Sequence, residues 1–497
     1  MLLDFKTNSF SGNRIMVSPI KFVDQTDSHR RYLFDMGLVR SGFQLNTSAS
    51  ADKKRIILGA DLVEDQYGFT KGSITRPIES LGILYKEHPL VSWGASFRMR
   101  YFQRYDFLCE WNNLGYGRIE VDSDSPFSCN TMYMVGDGAE VIAEVVDVTT
   151  GEKICDYAAV IRSGDSIVLW FNRDAGPVDG YDWVVIENFL SKYHNDIYGG
   201  YPFVSEVPYA CEGAVTMRID CDEAIGSGRA LHRLYRAYDM PFSMAIKTDQ
   251  TISENDRLLI SEVLIGGGAV VGHSHTHTPD WGGSAQAASW EVVNSRKVLG
   301  ELGVLGINDD YVVSPFHQNS TESIVGLCAA GVRGFVGGII CNDPQFLLAR
   351  AGVVPFVKGI ISHSQQCMFH GDTYHRDGNS IEGYRSAFRQ ALETNTFFGY
   401  LDHPFSNYLY GWISEEERLG AHEEFLKFMD EFPNIWRANL VDALRFLEMK
   451  STVKIVMNGD GFAATLPLND RFLGLPSVAV VYGDKQYELK MGDTVVF

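Results

Sequence analysis

Long apolar runs are missing from this sequence. No stretch of about 18 uninterrupted apolar residues occurs, so no membrane-spanning helix is expected. Basic charge is scarce beside acidic charge: Lys plus Arg number 43 against 63 for Asp plus Glu, a net charge of −20. A chain this acidic is a poor partner for nucleic acid or for an anionic membrane surface. The eight cysteines (Cys109, Cys129, Cys155, Cys211, Cys221, Cys328, Cys341 and Cys367) form no Cys-x-x-Cys pair. That argues against a disulfide framework and against a cysteine zinc site. The first residues carry neither the basic region nor the apolar core of a signal peptide, so a soluble, cytoplasmic protein is expected. Internal repeats and low-complexity tracts are also missing. What remains is ordinary globular material, 45% apolar and 21% charged over 497 residues, enough for about three domains. Oligomeric state is not legible in these numbers.

The texture changes twice along the chain. Residues 1–208 read as an N-terminal mixed or β-rich domain of unknown role. Within them 55–58 is a short β-like run. The runs 141–148, 154–161 and 167–171 are separated by Thr149-Thr150-Gly151 and Ser163-Gly164-Asp165, which predicts an antiparallel meander.

Residues 209–450 alternate between strand and helix. Strands are expected at 214–219, 242–246, 268–272, 311–313, 334–336, 354–357, 397–401 and 435–437. Leu231, Leu234, Tyr235 and Tyr238 mark one helix face, and Tyr384, Phe388, Ala391 and Leu392 another. Ser253 with Asp256 reads as an N-cap with an acidic residue in the first turn, and Ser414-x-x-Glu417 as a capping box. Seven or eight strands alternating with helices predict an α/β fold, a distorted (β/α) barrel of about seven strands. Residues 451–497 read as a small C-terminal β module, with hairpin signals at Asn458-Gly459 and Gly483-Asp484.

In such a barrel, reactive groups belong at the C-terminal ends of strands. The first strand ends Arg218-Ile219-Asp220-Cys221-Asp222. Alternation puts Arg218, Asp220 and Asp222 on one face, where two carboxylates are costly unless paired or bound to a cation. The third strand ends His273-Ser274-His275-Thr276-His277. Imidazoles at i and i+4 can reach one metal from a single turn of chain, which favours a metal site over three unrelated surface histidines. His275 is expected to point elsewhere and orient a neighbour. The fourth strand leads into Ser314-Pro315-Phe316-His317, a turn that by itself is also consistent with an ordinary loop. Leu401-Asp402-His403 puts a histidine where a general acid would serve, although a lone surface histidine is the commoner case. His363, His370 and His375 read as members of a long polar loop, either touching substrate or merely solvated.

Together these features resemble the polysaccharide deacetylases of carbohydrate esterase family 4, the NodB-homology group, over 213–450. The family's His-Ser/Thr-x-x-His motif stands as His273-Ser274-His275-Thr276-His277. Its paired aspartates appear as Asp220-Cys221-Asp222, like the Arg-x-Asp-x-Asp strand end of divergent members linked to surface-glycan synthesis. Its Leu-x-His motif stands as Leu401-Asp402-His403. Ser314-Pro315-Phe316 takes the place of an Arg-Pro-Pro-Tyr-like turn but lacks the arginine, and Arg218 is the available substitute. The resemblance implies a metal-dependent hydrolase of a non-peptide C–N bond, removing the N-acetyl group of an amino sugar. It implies Zn2+ or another divalent transition metal on Asp222, His273 and His277. Asp220 is then the base, His403 the acid, and Arg218, His275, Pro315, Phe316 and His317 orient the site or the substrate. The implied partner is a carbohydrate bearing N-acetyl groups.

Two other readings stay open at this point. An amidohydrolase-type site would use His273 with His275. A catalytically inactive glycan-binding protein would keep the pocket without the chemistry.

Overall fold

The computed structural model describes residues 36–43, 53–58, 68–73, 80–95, 98–101, 131–172, 180–337, 350–354, 357–364, 367–458 and 461–497. Cys109, Cys129 and Cys341 lie outside them.

The β-branched runs of the N-terminal part form Glu140–Asp147, Lys153–Ser163 and Ser166–Phe171, paired antiparallel. Gly164, at φ 57°, supplies the left-handed turn that closes the second hairpin in two residues. Leu81–Tyr85 and Met99–Tyr101 extend one edge of this six-stranded sheet, and Lys54–Leu58 adds a parallel strand at the other. Helix α1, Gly180–Ser191, packs against it with all twelve residues buried. Being buried on every side, α1 shows no apolar stripe to find in the sequence. Its two acids are satisfied internally. Asp182 accepts the hydroxyls of Tyr157 at 2.6 Å and of Tyr85. Glu187 accepts Ser41 Oγ at 2.6 Å and Arg350 Nε and Nη2 at 2.9 and 2.7 Å. The last pair ties α1 to the segment that leads into the second sheet.

Seven of the ten strands in that sheet form its parallel core: β1 Gly213–Cys221, β2 Ser243–Ile246, β3 Ala269–Gly272, β4 Tyr311–Val313, β5 Gly334–Gly337, β6 Ile361–Ser364 and β7 Phe397–Asp402. Pairing runs β6-β5-β4-β3-β2-β1-β7. Ile435–Ala438 pairs with the first half of β1, while β2 takes its last three residues. Gly352–Val353 flanks β6 and Cys367–Met368 flanks β7. Among the described residues no pairing joins β6 to β7. The sheet is therefore a curled half-barrel rather than a closed ring. One expected strand, 354–357, is displaced. Val353 ends the short antiparallel edge, 355–356 lie outside the described residues, and β6 takes the place in the sheet. β6 contains Ser362, His363 and Ser364, so it offers no apolar run to find. Its His363 is buried because its Nε2 is 2.9 Å from the Phe397 carbonyl.

The Ser253 box forms in full, whereas at Ser414 only the cap half forms, because Glu417 Oε2 accepts the Ile413 N–H at 2.9 Å instead. Ser253 and Asp256 make a reciprocal capping box on α2, Glu254–Ile265. Helix α3, Ala285–Glu301, follows β3, and Ser414 caps α4, Glu415–Met429, by accepting Glu417 N–H. In the tail, Val478–Tyr482 and Lys485–Leu489 form a hairpin across Gly483-Asp484. Its first strand also pairs with Phe203–Val204. Lys454–Asn458, Gly461–Thr465 and Thr494–Val496 form the other three-stranded sheet. No helix among the described residues is long and apolar enough to cross a membrane.

Candidate metal centre and active site

All nine residues of β1 are buried, so the polar side chains at its end have to find partners there. Arg218 and Asp220 supply each other. Nε donates to Oδ1 at 2.7 Å and Nη2 to Oδ2 at 3.1 Å. Burial works against the Asp220 carboxylate, but the Arg218 guanidinium and then His273 outweigh it and bring its pKa down to about 2.

β3 delivers the histidines. His273 continues the sheet through its N–H to the Ile246 carbonyl, and its Nδ1 lies 3.0 Å from the Val313 carbonyl. Nδ1 therefore carries the proton and Nε2 offers a lone pair. Ser274 and His277 both adopt left-handed backbone, φ 62° and 61°, so the chain doubles back at once. Two such non-glycine residues cost about 1–3 kcal/mol each and need support. Glu291 on α3 gives it, accepting the backbone N–H of His275 at 2.7 Å and of Thr276 at 2.8 Å, and also the Thr276 hydroxyl. Ser274 Oγ accepts the His277 N–H at 2.9 Å.

The turn sets His277 Nε2 3.0 Å from His273 Nε2, and Asp222 Oδ1 lies 3.3 Å from each. Asp222 Oδ1 is buried and accepts no hydrogen bond from a described residue. Three donor atoms bound at about 2.0–2.1 Å to one tetrahedral centre stand about 3.4 Å apart. The donor set, its spacing and the orphaned oxygen all fit a divalent metal such as zinc. Burial lowers the pKa of His277 to about 4, which leaves its ring neutral. Burial also pulls on His273, but Asp220 and Asp222 prevail and its pKa is raised.

His275 turns away. Its Nδ1 is 3.0 Å from Thr248 Oγ1 and its ring packs 5.4 Å from that of Trp290. The structure does not bring His273 and His275 together as ligands. In the fourth-strand turn Pro315 and His317 are buried, while Phe316 is 41% exposed at φ 50° with its ring 4.7 Å from His277. Burial and the nearby Arg218 charge hold His317 down at about 3, so it stays neutral.

His403 stands at the end of β7 with Nε2 3.6 Å from Asp222 Oδ2. Its other nitrogen, Nδ1, meets no carboxylate but His370 Nε2, at 3.0 Å. Burial lowers the pKa of His403 and takes His370 down to about 3. Asp402 supports the main chain: Oδ1 accepts the His403 N–H at 2.7 Å, and Oδ2 is 2.9 Å from His422 Nε2 and 3.6 Å from Arg418. His370, Asp402 and His403 also have donor atoms within 4.8 Å of one another. Both Asp402 oxygens are already committed, so this second group acts as a hydrogen-bonded brace.

The expected polar loop carrying His363, His370 and His375 is not a loop. His363 lies in β6, and His375 lies on the short helix Gly371–Arg376 bonded to Asn379. Only His370 reaches the site. Tyr410 was not anticipated. Its hydroxyl donates to Asp222 Oδ2 at 3.1 Å and its ring stacks on His403 at 3.5 Å.

No family model matches the chain, and neither does any curated protein. Solved structures do. A protein from Mycobacterium smegmatis described as a polysaccharide deacetylase aligns at 13% identity over 48% of this chain and 93% of its own, with a TM-score of 0.39. Agd3, a carbohydrate deacetylase, aligns at 9% identity over 95% of this chain and 97% of its own, with a TM-score of 0.41. A family 4 acetyl xylan esterase from Clostridium thermocellum, in complex with a cobalt ion, aligns at 13% identity over 46% of this chain and 89% of its own, with a TM-score of 0.30.

Proposed function

We propose that this protein is a metal-dependent carbohydrate N-deacetylase, cleaving the N-acetyl group from an amino sugar in a polysaccharide, a sugar nucleotide or a lipid-linked precursor. The observation that carries the reading is the convergence of Asp222 Oδ1, His273 Nε2 and His277 Nε2 on one point, with the carboxylate oxygen lacking a hydrogen-bond donor. Zinc or another divalent transition metal held there supplies Lewis acidity, polarising the acetyl carbonyl and lowering the pKa of water to about 7.

The chain's own groups do the rest. Asp220, kept ionised by Arg218, takes the proton of the attacking water. The new bond joins water oxygen to the acetyl carbon, and the bond that breaks is carbon to nitrogen. His403, reached by the substrate nitrogen across the site from Asp220, hands that nitrogen a proton. The products are acetate and a free amino sugar. Phe316, exposed beside His277, offers an apolar surface to the substrate.

A screen for acetate release over nucleotide-linked and oligomeric N-acetyl sugars tests this. Acetate from at least one of them, abolished by chelation and restored by added metal, is the expected result. Stoichiometric metal without acetate from any sugar would instead favour a glycan-binding protein.

A further inference from the structure

Tyr410 lies on the connection between β7 and α4, in left-handed backbone at φ 62°, and Gly411 follows at φ 74°. A tyrosine held there is strained, so the surroundings must impose it. They do so through a close crossing of two main chains. Gly371 N–H donates to the Tyr410 carbonyl at 2.7 Å. A Cβ on Gly371 would collide with the backbone of Gly411 and Trp412, and one on Gly411 with the backbone of Asp372. Only glycine at both positions permits the approach. His370 immediately precedes Gly371, so the crossing also fixes where His370 stands.

This crossing delivers one side chain to two places. The Tyr410 hydroxyl donates to Asp222 Oδ2, the oxygen that faces away from His273 and His277. The ring lies flat on His403, 3.5 Å between centroids and 10° between planes. His370 holds the edge of the same imidazole. His403 is thereby gripped on a face and on an edge, with Nε2 left towards Asp222.

We propose that Tyr410 is a positioning residue for both halves of the site: its hydroxyl restricts Asp222 to one-oxygen ligation, and its ring fixes His403 for proton delivery. The inference rests on the deacetylase reading above. It adds a residue that touches neither metal nor reacting atoms, recruited from a loop 188 positions from Asp222.

Two variants separate the two roles. Tyr410→Phe keeps the ring and removes the hydroxyl, while Tyr410→Leu removes both. Metal affinity is read by competition with a chromogenic chelator using Zn2+. Proton delivery is read at saturating metal as the ratio of turnover on an N-acetyl sugar to turnover on 4-nitrophenyl acetate, whose leaving group departs without a proton. Tyr410→Phe should weaken metal binding about 10–100-fold, as loss of a hydrogen bond to a ligand does. It should leave the amide-to-ester ratio near that of the wild type. Tyr410→Leu should weaken metal binding similarly and also lower the ratio by about 10-fold or more. Wild-type metal affinity in Tyr410→Phe, or equal loss on both substrates in Tyr410→Leu, overturns the proposal. A wild-type protein that takes up no metal overturns the deacetylase reading and this inference with it, a result distinguishable from the other two.

Discussion

Arg218 and Asp220, two residues apart on one face of β1, join by a two-point salt bridge in which both side chains are nearly inaccessible to solvent. Strand alternation makes the pairing local, and burial makes it necessary. Asp220 lies beside His273 but outside the convergent trio of Asp222, His273 and His277. Asp220→Asn should therefore abolish turnover while metal content stays near that of the wild type, checked by acetate release and by elemental analysis of the same sample. Loss of the metal would mean that Asp220 and Asp222 have exchanged roles.

His403 depends on its position rather than on ligation. Its Nε2 faces Asp222 Oδ2 at 3.6 Å and its Nδ1 is taken by His370. His403→Ala should lower kcat on an N-acetyl sugar by about 10²–10⁴-fold, the usual worth of a positioned acid, with metal binding intact. If the variant loses its metal instead, His403 is a ligand and the proton donor lies elsewhere.

Glu291 lies outside the convergent trio, yet it anchors the turn between His273 and His277 through three donors. Its removal frees Ser274 and His277 to relax from left-handed backbone. Glu291→Ala should weaken metal binding about 10–100-fold without unfolding the chain, read by chelator competition alongside circular dichroism.

Far from the site, Lys450 is buried and donates to the Arg40 carbonyl at 2.7 Å. Burial pushes its pKa down to about 8 from 10.5, although Glu206 and Glu187 pull the other way. Between those values the unfolded chain binds more protons than the folded one, so stability rises with pH. The rise is about 3 kcal/mol across that window, and below a pH of about 8 the contribution is constant. Urea unfolding of wild type and Lys450→Met between pH 7 and about 10.5 isolates the effect. The stability of wild type relative to the variant should climb through the window, and parallel curves would refute it.

The histidine turn was legible because His273 and His277 are carried by five consecutive residues at the end of an apolar strand, and the Arg218-x-Asp220-x-Asp222 pattern for the same reason. Local sequence contains what local geometry needs. Three kinds of feature stayed hidden. Helix α1 is enclosed on every side, so no polar face sets its period. β6 is polar in three of its four residues; Ser362 and His363 are buried in it, and His363 meets the Phe397 carbonyl. Tyr410, His370 and Glu291 reach the site from other segments, so only tertiary packing reveals them. His370 was visible as a histidine, but what singles it out from His363 and His375 is the distance to His403, which spacing along the chain does not encode. The lack of any β6–β7 pairing among the described residues was equally invisible, since strand count and alternation are the same for a closed ring and a curled half.

Metal stoichiometry tests the convergent trio most directly. Purified protein equilibrated with Zn2+ and dialysed should retain about one ion per chain, and Asp222→Ala and His277→Ala should each retain almost none while staying folded. Equal retention in wild type and both variants, or no retention in any of them, would contradict a metal centre at Asp222, His273 and His277.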